Sequence, residues 1–296
     1  MKTYLGIIGG SGLYDLPGLT SSKWITIDTP WGRASDDLLL GELGGIQLAF
    51  LPRHGRGHRL SPSGINYRAN IDALKRVGVT DLVSLSACGS LKEELAPGTF
   101  VLVDQFVDRT IARDKSFFGN GCVAHVSFAQ PVSPLLVDHV ARAAELERIP
   151  YRRGGTYLAM EGPQFSTLAE SRLYRAWGCD VIGMTKMPEA KLAREAELCY
   201  AAVAMVTDYD SWHAEFGQVE VSKIIATLLQ NADVAKRLIA RLAHCLPQEH
   251  ELCPIGSDRA LQHAILTAPE QRDPALLDKL DAVAGRMLGT AKQNLR

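Results

Sequence analysis

The chain has 296 residues, 46% of them hydrophobic and 22% charged; 32 Lys plus Arg nearly cancel 33 Asp plus Glu, giving a net charge of −1. No block of like charge marks a nucleic-acid footprint, no apolar stretch is long enough to cross a bilayer, and the N-terminal apolar run is too short for a signal peptide. The reading is therefore an ordinary globular protein of the cytoplasm with no nucleic-acid or membrane partner. Six cysteines without a Cys-x-x-Cys pair read as buried thiols in a reducing compartment. The eight histidines form no metal-ligand spacing, so no metal is expected.

In chain order, Leu5–Gly10 reads as a strand entering a glycine-rich turn, and Ile46–Leu51 as a second strand ending at Arg53-His54-Gly55. Tyr67, Ile71 and Leu74 share one helical face, with Gly78 as a natural stop. Asp81–Ser86 and Phe100–Val103 read as short strands, Leu135–Leu146 as helix, Ala201–Val206 as a buried strand, and Val221–Leu246 as a long helix. Beyond a connector rich in Pro and Gly (247–256), Leu276, Leu277, Leu280, Val283 and Leu288 form one helical stripe. Strands alternating with helices argue for an α/β fold, with a mostly parallel central sheet flanked by helices. The expected division is a core of residues 1–246 and a helical C-terminal extension, 247–296, packing on the core or on a neighbouring subunit.

Polar constellations at the ends of buried strands mark the site, because ligands sit beyond the carboxyl ends of such strands. Gly9-Gly-Ser-Gly12 can cradle an anion on backbone N–H groups and the Ser11 hydroxyl. It is not a dinucleotide loop, since Asp15 stands where the third glycine belongs. Arg53 offers a planar fork of donors suited to phosphate or carboxylate, and His54 adds another. Ser86-Ala87-Cys88-Gly89-Ser90 and Thr185 supply further hydroxyls and N–H groups. Anion-binding groups at four separate strand ends suggest a fixed phosphate site. Asp208 follows a hydrophobic run, where desolvation holds a carboxyl group protonated, and Asp210 lies two residues on. A helix-capping use of both is the bland alternative. Phe165 is either a stacking platform or a loop plug.

Together, Gly9-Gly-Ser-Gly12, Arg53-His54-Gly55, Asn66-Tyr67-x-Ala69-Asn70, Ala87–Leu91, Glu161-Gly-Pro-x-Phe165-Ser166, Met184-Thr185 and Thr207–Asp210 resemble the 5′-methylthioadenosine phosphorylase family, in order from about Leu5 to about Ala243. The resemblance implies a nucleoside phosphorylase-like fold assembled as a homotrimer, with paired trimers forming a hexamer as the further option. It implies phosphate as a co-substrate and no cofactor. Ser11, Arg53, His54, Ser86, the Ala87 backbone and Thr185 would bind phosphate. Met184 would lie against the ribose, Phe165 and Ile182 would sandwich the purine, and Ser166 would stand beside it. Asp208 would serve purine N7 and Asp210 the 6-amino side as the catalytic pair. Val221, Ile224 and Ile225 would line an apolar pocket for the methylthio group, completed by His125 of a neighbouring subunit. Gly183 stands where the animal enzymes carry Asn. Relatives acting on 5′-methylthioinosine also have Gly there, but they lack the Asp-x-Asp pair, which favours the 6-amino purine. A phosphorylase for methylthioinosine or another purine nucleoside is the alternative within the class. A non-catalytic nucleoside-binding protein and an NAD-dependent oxidoreductase are the alternatives outside it.

Overall fold

The computed structural model describes residues 1–10, 12–13, 15–213 and 221–289, and for 221–224 the helical backbone alone. Eleven strands and seven α-helices alternate along these residues. They run β1 (Tyr4–Gly9), β2 (Thr20–Ile25), β3 (Leu38–Leu43), β4 (Ile46–Pro52), α1 (Tyr67–Arg76), β5 (Asp81–Ser90), β6 (Phe100–Val103) and β7 (Gln105–Asp108). Then come α2 (Pro134–Leu146), β8 (Tyr151–Arg153), β9 (Thr156–Ala159), α3 (Leu168–Ala176), β10 (Val181–Gly183), α4 (Glu189–Glu195), β11 (Cys199–Tyr209), α5 (Val221–Cys245), α6 (Pro274–Lys279) and α7 (Gly285–Leu288).

The strands form one sheet with path β2-β3-β4-β1-β5-β10-β9-β7; β11 branches from β5, β6 pairs with β11, and β8 with β6. Six pairings are parallel, namely β1 with β4 and β5, β5 with β11, β9 with β10 and β7, and β6 with β8. Four are antiparallel. The expected mostly parallel sheet flanked by helices is what forms. β1, β5 and β11 carry almost nothing but buried residues, which is why they appear in sequence as short apolar runs. The exposed edge strand β2, Thr-Ser-Ser-Lys-Trp-Ile, carries no such signal and escaped the sequence reading.

β5 is the strand that organises the site. β11 pairs with it in parallel along its whole length; on the other side its first half pairs in parallel with β1 and its last two residues antiparallel with β10, Gly89 opposite Ile182 and Ser90 opposite Val181. One strand thereby joins two half-sheets, and the carboxyl ends of β1, β4, β5 and β11 open on the same side.

In the tail, the single stripe expected over Pro274–Leu288 is broken into α6 and α7. The turn between them presents Asp281 to Arg76 while Leu280, Val283 and Ala284 enter the core. One straight helix would not place those apolar residues inward and that carboxylate on Arg76 together.

Candidate active site

The acid side of the site is built by a bulge. β11 pairs Val206 with Cys88 and then Asp208 with Gly89, so Thr207 is the extra residue. Thr207 Oγ1 donates to Asp208 Oδ1 at 2.6 Å and toward the Cys88 carbonyl at 3.2 Å, fixing the Asp208 carboxyl group. Gly89 lies beneath: a Cβ there would meet Ile182 at 3.2 Å, Asp210 at 3.3 Å and the Asp208 carboxyl at 3.4 Å. The absent side chain thus lets three of the expected nucleoside-binding residues converge. Burial pushes the Asp208 carboxyl up to about 6; the Thr207 hydrogen bond opposes this and the nearby Asp210 charge adds to it.

Asp210 is buried, and both its oxygens accept from Ser166 Oγ, at 2.7 and 2.6 Å. Ser166 is placed by its neighbour in sequence. Thr167 caps α3 in a capping box with Glu170, and Ser166 stands immediately before that cap. Ser211 Oγ donates to the Ser166 carbonyl at 2.8 Å, closing the loop onto β11. On the same loop Phe165 is 49% exposed, a flat ring at the rim rather than a plug in the core. The helix cap on this loop is Thr167, whereas the segment that the Asp208–Asp210 turn leads into, residues 214–220, lies outside the described residues.

Met184 is held from behind. Arg113 donates to the Met184 and Met187 carbonyls at 2.6 Å and to the Glu161 carbonyl at 2.8 Å, tying the Glu161 and Met184 loops together. Gly162, with φ +68°, lies directly under the Met184 thioether, where a Cβ would clash. The Asn66-Tyr67-x-Ala69-Asn70 motif turns out to be scaffolding for this region: Asn66 caps α1, Asn70 binds Ser35, and the Tyr67 hydroxyl accepts from Arg113.

The anion side differs in character. Ser86 Oγ and Thr185 Oγ1 are buried with no hydrogen-bond partner among the described residues, as is the hydroxyl of Tyr157. A buried hydroxyl left unpaired costs about 1–3 kcal/mol, so such a group in a native site calls for a ligand. Ala87, half-buried, follows Ser86 in β5.

Arg53, 1% exposed, is turned inward to a greater degree than its sequence suggests. Nε donates to Glu189 at 3.0 Å, Nη1 to the Leu85 carbonyl at 2.9 Å, and Nη2 to Ser84 Oγ at 2.6 Å and the Ile8 carbonyl at 3.3 Å. Much of the donor fork expected for phosphate is thus committed to the protein, with one Nη1 proton beyond these contacts. Lys186 Nζ also reaches Ser84, donating to its carbonyl and, at 2.9 Å, to its Oγ. Arg53 and Lys186 thus share Ser84, and Arg53 pairs with the Glu189 carboxylate, which also accepts from Tyr200 at 2.9 Å. Although burial works against ionisation, Arg53 and Lys186 hold the Glu189 carboxyl below its usual range. Burial and the Arg53 charge push Lys186 well down.

His54 corrects an expectation. Its Nδ1 lies 2.9 Å from the Leu60 carbonyl, which only accepts, so Nδ1 carries the proton. Burial and the neighbouring Arg53 push the ring down to about 4. A neutral His54 therefore presents Nε2 as an acceptor, suited to a protonated phosphate oxygen rather than to a bare one. The cause, a carbonyl six residues on, is not visible in the motif.

Of the remaining expected residues, Ile182 is buried beside Gly89, and Ile225 is 50% exposed near the start of α5. His125 is exposed, with its backbone N–H on the Ala264 carbonyl. Ser11, and the side chains of Val221 and Ile224, lie outside the described residues. The sequence reading missed Tyr157, Ser84, Arg113, Lys186 and Glu189. Only the last two offered a signal, as charged residues inside an otherwise apolar, proline-containing segment. Among the described residues no group of His, Cys, Asp and Glu is arranged to hold a metal ion, and no helix is long and apolar enough to cross a membrane.

A raised carboxyl group at the end of β11, together with buried, unpaired hydroxyls on Ser86, Thr185 and Tyr157, suits phosphate-dependent cleavage at a base. Residues 4–244 match the family model of the phosphorylase superfamily. The chain belongs to that superfamily, within its methylthioadenosine phosphorylase family. It is 68% identical over 287 residues to S-methyl-5′-thioadenosine phosphorylase of Bradyrhizobium diazoefficiens, covering 97% of this chain and 99% of that one. It is 64% identical over 288 residues to the Cereibacter sphaeroides protein of the same name, again covering 97% and 99%. A methylthioadenosine phosphorylase from an antarctic soil metagenomic library superposes with a TM-score of 0.90 at 46% identity, covering 95% of this chain and 99% of that one. A variant of adenosine/methylthioadenosine phosphorylase from Schistosoma mansoni, in complex with methylthioadenosine, superposes with a TM-score of 0.74 at 35% identity, covering 82% and 91%. Membership in the superfamily disposes of the oxidoreductase alternative.

Proposed function

We propose that this phosphorylase cleaves 5′-methylthioadenosine with inorganic phosphate, giving adenine and 5-methylthioribose 1-phosphate. The observation that carries the reading is the Asp208 carboxyl, raised to about 6 by burial and oriented by Thr207, in a chain similar to S-methyl-5′-thioadenosine phosphorylases. Asp208, protonated, shares its proton with purine N7 as the glycosidic bond breaks. Asp210, an acceptor on both oxygens, is suited to a 6-amino donor, and Ser166 holds it in place. Phe165 and Ile182 hold the two faces of the base, and Met184 lies against the sugar.

Ser86, Thr185, the Ala87 backbone, His54 and the remaining Arg53 donor receive phosphate, with Ser11 as a further hydroxyl. Negative charge beneath C1′ then stabilises the cationic sugar, and an oxygen of the same anion becomes the nucleophile; positioning and electrostatics supply the acceleration, and no cofactor takes part. An apolar pocket from α5, with Val221, Ile224 and Ile225, disfavours a 5′-hydroxyl by offering it no hydrogen bond. The exposure of Phe165 and Ile225, apolar residues at the rim, supports closure by a neighbouring subunit, with its copy of His125 and a homotrimeric assembly. The setting we infer is purine and methionine salvage in the cytoplasm.

The test is phosphate-dependent turnover of methylthioadenosine against methylthioinosine, compared by kcat/KM. The adenine-releasing substrate is expected to be preferred by at least about 10²-fold, as for a buried acceptor left facing the wrong group. A preference for the 6-oxo substrate would overturn the assignment.

A further inference from the structure

The proposed phosphate site leaves one buried group unused. Tyr157 sits at 0% exposure in β9, opposite Val181 of β10, with Ala159 opposite Gly183. Side chains two residues apart share a face of the sheet, so Tyr157 lies on the same face as Gly183 and opposite to Ile182. Its ring runs along that face: a Cβ on Gly183 would overlap the Tyr157 hydroxyl oxygen and lie 2.7 Å from Cζ. The phenol therefore occupies the volume a side chain at position 183 would take, two residues before Thr185. Its hydroxyl has no hydrogen-bond partner among the described residues, and neither do Ser86 Oγ and Thr185 Oγ1.

We propose that Tyr157 is a positioning residue of the phosphate subsite, its hydroxyl orienting Ser86 for the incoming anion. The inference rests on the placement of phosphate at Ser86 and Thr185. A neutral phenol has one proton to donate and lone pairs to accept. Its neighbours fit those roles: Ser86 Oγ and the Thr185 backbone both act on the Tyr157 hydroxyl, against the larger effect of burial, which raises its pKa. Accepting from the Thr185 N–H and donating to Ser86 Oγ, Tyr157 would leave the Ser86 proton directed at a phosphate oxygen. Gly183 is then required not for flexibility but because any side chain there would displace the phenol.

Three variants test this: Tyr157→Phe, Ser86→Ala and the double variant, each assayed for KM of phosphate and of methylthioadenosine. Loss of one oriented hydrogen bond predicts that Tyr157→Phe raises the phosphate KM about five-fold more than the nucleoside KM. Because Tyr157 acts through Ser86, the double variant should resemble Ser86→Ala alone. The melting temperatures of the three variants, measured beside the parent, separate a general folding defect from an effect on phosphate. If Ser86→Ala raises the phosphate KM and Tyr157→Phe does not, the inference fails while the phosphate placement stands. If neither variant moves it, the phosphate placement itself fails. Fully additive effects would show that Tyr157 does not act through Ser86, and would also overturn the proposal.

Discussion

The two halves of the site treat their polar groups in opposite ways. On the purine side every acid is answered from within the chain: Asp210 by Ser166 on both oxygens, Asp208 by Thr207. On the phosphate side Ser86, Thr185 and Tyr157 are buried and unanswered among the described residues. The difference reflects what each half must do. A proton donor must be ready in a fixed direction before substrate arrives; burial raises its hold on the proton, and the Thr207 hydrogen bond fixes its direction. A dianion brings its own acceptors, so the groups that meet it are donors kept free of competing partners.

The comparison breaks most visibly on the purine side. Asp208→Ala should lower kcat by about 10² to 10⁴-fold, the usual worth of a positioned general acid, while the phosphate KM changes far less. A kcat within a few-fold of the parent would remove Asp208 from the chemistry, and a dominant effect on phosphate KM would erase the division between the halves.

A stability measurement sharpens the same point. Asp208 binds its proton more tightly folded than unfolded, because burial raises its pKa from 3.8 to about 6. Its contribution is therefore fully present below pH 4 and is lost as pH rises through about 6. Above that window an ionised, buried Asp208 works against the fold by up to about 3 kcal/mol, which Asp208→Asn removes. The urea midpoint of Asp208→Asn relative to the parent should rise between pH 4 and pH 7. A gap constant with pH would mean that Asp208 is not raised.

The smallest effect belongs to Phe165→Ala. With the ring half-exposed, folding should be little affected, and loss of stacking should raise the nucleoside KM by roughly ten-fold, near the lower range for a base on an aromatic ring. An equal rise in phosphate KM would show that the loop serves both halves.

Much of this arrangement was legible before any coordinates. The apolar runs of β1, β4, β5 and β11 announced a layered fold, and the polar residues ending them announced its open side. Asp208 after a hydrophobic run and the paired Asp210 carried the acid chemistry. What the sequence concealed depends on contacts between distant segments. The tautomer of His54 is set by the Leu60 carbonyl, and the inward turn of Arg53 by Ser84, Leu85 and Glu189. The role of Gly89 as the meeting point of Ile182, Asp208 and Asp210 requires β5 to switch neighbours mid-strand. Tyr157 drew no notice in the sequence, because nothing local reveals that its hydroxyl ends over Gly183, far along the chain.

The most direct test of the whole account is the rate of adenine release from methylthioadenosine as phosphate is raised from zero. Saturable dependence on phosphate, with no release in its absence and 5-methylthioribose 1-phosphate formed in equal amount, is the predicted result. Adenine released at the same rate without phosphate would contradict it, because the unanswered hydroxyls would then have no anion to meet.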